Sequence, residues 1–453
     1  MLWRHLCLVR AITATGLLTF STLGAMASGE PEEPIPGADS PAETVKVLEA
    51  EKAGLLAVEV RGQGQDKVKI SLKNASTKRL NVILPPGLVA SSATAQGAAG
   101  GGGGGGGGFQ SMGLGAATNR SGGFGQFAGS NSGGQAGFRS VAPTELKPAL
   151  TVPAGQTVDV EIPAVCLNFG LPTPTPKNKF RLVDVDEYSK DARVRKALRT
   201  LATLGTSQGT AQAAMWRICN DVSFEMMIAN GNNVVNPAEV ALAARFIEAL
   251  DRSSETVDPA YLTDARLYVT VQADGVLAKE AKRLAGSLDG MTVLGLPVHL
   301  TAPGEAPKTT APALHLGISL STGQSGETRG KVVVQSTNGL GEAADWSSIG
   351  QVSFSETSAP ASLDGAALAR ALDHAVSIGF VSAKVSRRST GSTTLKIVNR
   401  LPFTLNNVTV KAGSSAGAPT ITLSGLGVGP NRTGLAVVPA ATASVDRVEL
   451  NGL

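Results

Sequence analysis

The feature that most constrains the fold is a β pattern cut in two by glycine. Leu56, Val58 and Val60 alternate with Ala57, Glu59 and Arg61, and Val68, Ile70 and Leu72 alternate with Lys67, Lys69, Ser71 and Lys73. Leu80, Val82 and Leu84 follow a polar turn, and Pro85-Pro86-Gly87 ends that run. Alternation with a period of two puts the aliphatic side chains on one face of a strand and the lysines on the other. The pattern resumes only at Val158, Val160 and Ile162, after the turn Pro153-Ala154-Gly155. Between the halves lies an insert, 91–141, with nine consecutive glycines (Gly100–Gly108) and Arg120 and Arg139 as its only charges. Glycine loses the most backbone entropy on ordering, and the insert has few apolar groups to offset that loss. Loop-closure entropy grows only logarithmically with length, so the flanking strands can still pair. The expectation is a β-sandwich-like domain over 46–175 carrying a disordered insert whose deletion leaves folding nearly intact. Phe109, Phe124, Phe127 and Phe138, spaced among Gly, Ser and Gln, are the contact residues such a segment would offer.

The pattern changes after Tyr188. Val194, Ala197, Leu198 and Leu201 recur at helical spacing, as do Ala211, Ala214, Met215 and Ile218. Asn236-Pro237-Ala238-Glu239 combines an N-cap, a proline at the first helical position and a reciprocal glutamate. A three-helix unit is expected over 187–252. Residues 262–390 read as mixed α/β: strands at Leu267–Val271, Met291–Leu300, Leu314–Leu320, Lys331–Gln335 and Gln351–Phe354, with helices at Leu277–Leu284 and Gly365–Val376. Short strands return over 391–453, in the spacing of a second sandwich-like domain. The fold class is α+β, mainly β. Lys69–Asn74 leading to Leu80-Asn81-Val82 resembles Leu395–Asn399 leading to Leu405–Val408, and a shared hairpin solution accounts for both.

Residues 1–27 read as a secretory signal peptide. Arg4 and Arg10 precede an apolar run to Leu23, and Ala25-Met26-Ala27 is a small-x-small cleavage site. The polar stretch 28–45 reads as a flexible leader. No later segment has the ~20 apolar residues that a membrane-spanning helix needs. The formal charge is +4, which argues against a nucleic-acid partner held by bulk charge. Cys166 and Cys219 remain after signal removal, and an oxidising compartment permits a disulfide between them without requiring one. Neither they nor His299, His315 and His374 show metal-ligand spacing, so no metal or cofactor is expected.

Gly205-Thr206-Ser207-Gln208-Gly209 matches the pattern of a hydrolase nucleophile elbow, but that elbow needs a strand before the serine. Here the preceding segment is helical, which leaves Ser207 the least implausible nucleophile rather than a good one. The glycine run lacks the Gly-Lys-Ser/Thr of a phosphate loop. Asp184-Val185-Asp186-Glu187 reads as an acidic turn before a helix, favoured by the helix dipole, rather than a calcium loop. Trp216, Trp346 and Tyr261 are the aromatic residues a carbohydrate- or peptide-binding module would use, with Trp216 better placed in a core.

Ala164-Val165-Cys166-Leu167-Asn168-Phe169-Gly170-Leu171-Pro172 after a Gly-rich insert, followed by Thr210-Ala211-Gln212-Ala213-Ala214-Met215-Trp216 in an Ala-rich helix, resembles a group of uncharacterised secreted bacterial proteins. The likeness covers roughly residues 55–230. Arg217, and the pair Asn168-Phe169, depart from the group's pattern. The resemblance implies export and a β-sandwich plus helical layout, and transfers no catalytic residue. The expectation is an exported, non-enzymatic structural or interaction protein of the cell envelope or extracellular space, with an envelope or extracellular protein or polymer as partner. A serine hydrolase and a carbohydrate- or peptide-binding module are the alternatives.

Overall fold

The structure, a computed structural model, describes residues 42–92, 109–115, 150–204, 206–230, 234–253, 266–339, 345–390, 392–413, 417–438 and 444–451. Residues 1–27, expected to be a signal peptide, the nine glycines, and Phe124, Phe127, Phe138 and Tyr261 lie outside the described residues.

A charged strand, β1 (Glu43–Lys46), runs into helix α1 (Val47–Lys52). The end of the expected leader is therefore part of a sheet. Strands β2 (Leu56–Gly62), β3 (Lys67–Asn74), β4 (Leu80–Ile83) and β5 (Leu88–Ser91) follow, then β6 (Met112–Leu114), β7 (Leu150–Val152), β8 (Thr157–Cys166) and β9 (Lys179–Asp184). The alternation reads out as expected: Val68, Ile70 and Leu72 are fully buried while Lys73 is exposed. The strands do not remain an open sandwich. β2, β3, β8, β6, β5 and β9 close into a six-stranded barrel, and β1, β4 and β7 form a three-stranded sheet beside it. Closure removes the sheet edges, and it depends on the insert: β6 pairs with β5 on one side and β8 on the other. A Cβ on Gly113 of β6 would meet Leu198 Cδ2 at 2.5 Å, so a glycine is needed for the helices to pack here. The insert is thus interrupted by a barrel strand, contrary to the expectation of a dispensable loop.

Helices α2 (Val185–Tyr188), α3 (Ala192–Leu204), α4 (Gln208–Asn220), α5 (Phe224–Asn230) and α6 (Pro237–Arg252) make the helical unit. The expected stripes are buried except for half-buried Ile218, and the capping box forms in both directions: Glu239 N–H donates to Asn236 Oδ1 at 3.0 Å and Asn236 N–H to Glu239 Oε2 at 2.9 Å. Strand β10 (Arg266–Gln272), helix α7 (Ala278–Leu288), β11 (Thr292–Val293), β12 (Leu296–Leu300), β13 (Ala313–Thr322), β14 (Thr328–Thr337) and β15 (Ser347–Glu356) give a six-stranded mixed sheet in the order β11-β12-β10-β13-β14-β15. Helix α8 (Gly365–Phe380) and α7 pack on one face of it, against Leu267, Val269, Leu316 and Val332.

Strands β16 (Val381–Ser389), β17 (Ser392–Asn399), β18 (Thr404–Lys411), β19 (Thr420–Val428), β20 (Thr433–Val438) and β21 (Ser444–Asn451) complete the chain as two three-stranded sheets, β16-β17-β20 and β19-β18-β21. This module repeats the N-terminal one beyond a shared hairpin. β2-β3-β8 matches β16-β17-β20, and the β4–β7 pair matches β18–β19. The strand-ending asparagines, Asn74 and Asn399, are both buried and play the same part. Asn74 Oδ1 accepts from Ser76 N–H at 2.9 Å, and its Nδ2 donates to Lys78 O and Val152 O. Asn399 Oδ1 accepts from Leu401 N–H at 2.9 Å, and its Nδ2 donates to Phe403 O and Val428 O. The following turns correspond too: Gly155 and Asn431 both have positive φ, and Asn74 N–H donates to Gln156 O as Asn399 N–H does to Arg432 O. The C-terminal module is sandwich-like; the N-terminal module is the same framework closed by β5, β6 and β9.

Candidate functional site

Ser207 is the N-cap of α4 and is 1 % exposed. Its Oγ donates to Thr210 Oγ1 at 2.9 Å. Gly209, Val234, Glu239, Gly429 and Arg432 surround it. This is a junction between helices and the C-terminal module. A Cβ on Gly209 would overlap the Glu239 carboxylate, and one on Gly429 would meet Ser207 Cβ at 2.7 Å. Glu239 and Arg432 form a buried, two-pronged ion pair, 2.9 Å from Nε to Oε1 and 2.6 Å from Nη2 to Oε2. The glycine–serine pattern that reads as a nucleophile elbow is therefore explained by close packing around this pair.

Cys166 and Cys219 are free thiols, and burial pushes each up to about 12, so neither is a thiolate at neutral pH. Phe109 packs edge-on against Phe180 of β9, with centroids 5.0 Å apart. It is a packing residue, not a free contact element. Gln212 explains why the two motifs of the resemblance occur together: its Oε1 accepts from Cys166 N–H and its Nε2 donates to Cys166 O, both at 2.8 Å. Trp216 then stacks edge-on with Phe169 at 5.1 Å. The acidic turn is neutralised by helix α3: Arg199 reaches Asp186 at 2.6 Å and Asp184 at 3.2 Å, and Arg195 reaches Asp186 at 3.6 Å. The Arg199 hydrogen bond holds the Asp186 carboxyl below its usual range.

The most developed polar constellation lies elsewhere, on the face of the six-stranded sheet opposite α7 and α8. Register places His299, Tyr268, His315 and Gln335 side by side across β12, β10, β13 and β14. Trp346 stands over this row. Its ring lies 6.1 Å from Tyr268 and 5.8 Å from His315, steeply inclined to both, and its Nε1–H donates to Pro307 O at 2.9 Å. Tyr268 and His299 are 6.0 Å apart. Thr270 and Thr301 lie alongside, with Thr270 Oγ1 2.7 Å from Thr301 Oγ1 and 2.8 Å from His315 Nε2. His315 Nδ1 lies 3.0 Å from Gln335 Oε1.

The proton directions follow from the acceptors. Burial lowers the affinity of His315 for a second proton, only partly opposed by its Gln335 bond. The Gln335 carbonyl can only accept, so the single ring proton sits on Nδ1 and Nε2 accepts from Thr270. Thr301 then donates to Thr270. The arrangement resembles a hydroxyl–imidazole–orienter series. However, neutral Gln335 lacks the charge that would stabilise an imidazolium, and Thr270 is buried at 6 % exposure. What it does is lock His315 in one tautomer and one orientation beneath Trp346, while His299 and part of Trp346 face solvent.

Sequence reasoning noted His299, His315 and Trp346 singly, without bringing them together. The available signal was the position of His299 and His315 in alternating strands, on the face opposite the aliphatic side chains, with Trp346 just before β15. No family model matches the chain, and no curated protein matches its sequence.

Proposed function

We propose that the protein is an exported, non-enzymatic interaction protein of the cell envelope or extracellular space, with the Gly-rich insert as its tether. Its ligand platform is the part-exposed Trp346 ring with exposed His299, held in place by buried Tyr268 and His315 beneath. The observation that supports this reading is the edge-on packing of Trp346 on Tyr268 and His315, which fixes a half-buried amphipathic ring beside the exposed His299. Aromatic rings held this way offer large contact area at little entropic cost, with hydrogen-bonding groups alongside. The burial of Ser207, and the lack of histidine among the described residues lining its surroundings, weigh against the hydrolase alternative.

The reading is tested by calorimetric titration of the purified protein with soluble glycan-peptide fragments of a bacterial wall. Saturable binding that Trp346→Ala abolishes is the expected result; binding unchanged by that substitution removes the platform. A fluorophosphonate probe is expected to leave the chain unlabelled. Labelling that persists in Ser207→Ala and disappears in Thr270→Val would replace a binding protein by a hydrolase.

A further inference from the structure

The chain as a whole is close to neutral, but its charge is unevenly placed. From His374 to Val445 there are seven Lys and Arg residues and no Asp or Glu. Arg432 is matched by Glu239 and Lys411 by Asp446. Lys384, Arg387, Arg388, Lys396 and Arg400 have no carboxylate partner among the described residues, and all five are exposed. They cluster on one hairpin, β16–β17.

Register sharpens the cluster. Lys384 lies directly opposite Lys396, an arrangement of like charges that weakens a strand pair unless something neutralises it. Arg387 is three residues beyond Lys384, which in a regular strand would put it on the other face. A bulge between Val385 and Arg387 resets the register, so Arg387 pairs with Thr394 and returns to the face of Lys384 and Lys396. Arg388 pairs with buried Thr393 and so lies on the other face at the hairpin's end, and Arg400 directly follows β17. On the same face β20 contributes Leu435 opposite Lys396 and Val437 opposite Thr394. Thr394, Val398 and Ser382 complete it, so no aromatic ring among the described residues of this face offers a base a surface to stack on.

We infer that this face of the C-terminal module is a docking surface for a linear phosphate polymer. The charge is complementary, and a row of cations along a strand pair follows a chain. The guanidinium of Arg387 matches phosphate oxygens in a two-pronged geometry, and the lack of aromatic residues removes the stacking that favours a nucleic acid. This surface lies on a different sheet from the Trp346 row, and its test does not depend on that reading.

The test is binding of the purified protein to long-chain inorganic polyphosphate as a function of salt. The variant Lys384→Gln/Arg387→Gln/Lys396→Gln is compared with a matched-charge control, Lys73→Gln/Lys279→Gln/Lys282→Gln, with thermal melts confirming that both fold. The first variant is expected to bind at least tenfold more weakly and to lower the slope of log affinity against log salt by about 2, at ~0.7 for each phosphate that is no longer neutralised. The control should bind as the parent does. An equal loss in the control would reduce the effect to bulk charge and overturn the site. Sedimentation with phosphatidylglycerol vesicles without polyphosphate binding would assign the face to a membrane. Tighter binding of single-stranded DNA than of polyphosphate would assign it to nucleic acid. Either result overturns the proposal.

Discussion

His315 stores a pH dependence in the fold. Its ordinary value is near 6.5, burial lowers it in the folded chain, and the unfolded chain therefore takes up a proton first as the pH falls. Stability contributed by the neutral ring is full above the unfolded value and is lost as the pH falls through the folded one. The carboxylates held below their usual range, Glu59 by its hydrogen bond from Arg61, Asp159 by Lys69 and Asp186 by Arg199, lose their contribution only at more acidic pH. A melting temperature that falls between about pH 7 and pH 5 is expected, with most of the slope removed by His315→Gln. An unchanged slope in that variant would show that the Thr270–His315–Gln335 network does not hold the ring neutral. The same scale explains Ser207 and Gly209: their small size is required by the Glu239 carboxylate and Gly429 packed against them, so a motif that matches a catalytic pattern answers a packing demand.

At the scale of elements, the insert divides into parts with different physical roles. Gln110 Nε2 donates to Leu171 O at 2.7 Å, Ser111 N–H donates to Asn168 Oδ1 at 2.8 Å, and Leu167 N–H donates to Ser111 O at 2.9 Å. With β6, these bonds sew 109–115 into the barrel. Deleting Gly100–Gly108 is expected to change stability by less than about 1 kcal/mol, since closure entropy varies slowly with loop length. Deleting 91–141 removes β6 and leaves one edge of β5 and one of β8 unpaired, so the cooperative urea transition of the parent should broaden or vanish. A sharp, parent-like transition in that variant would show that the barrel closes without β6. Alternation could not reveal this strand: Met112-Gly113-Leu114 is three residues long with glycine at its centre, and a period of two needs a longer run to be seen. β1 escaped for a related reason, since a short strand carrying Glu43 and Lys46 has the composition of a leader and is specified by its pairing with β4.

At the scale of the molecule, one buried cluster runs from the helical unit through the mixed sheet into the C-terminal module, while the barrel keeps a cluster of its own. Glu239 and Arg432 cross one of these joins, 193 residues apart in sequence. Glu239→Gln removes the carboxylate charge that faces the Arg432 guanidinium at a largely buried site, a loss of about 3–5 kcal/mol. Urea unfolding should show it as a lower midpoint, and a change below about 1 kcal/mol would mean that the pair does not hold the modules together. Propensity, capping and periodicity act over a few neighbouring residues, and so the local elements follow from the chain's own pattern. The mainly β class, the buried faces of β3 and α3, and the Asn236–Glu239 cap were all legible there. Tertiary structure alone decided the barrel closure, the second use of the asparagine-centred module, the row His299–Tyr268–His315–Gln335 and the unmatched cations of β16–β17. Each depends on strand register and on contacts between residues tens to hundreds of positions apart, which no local pattern encodes.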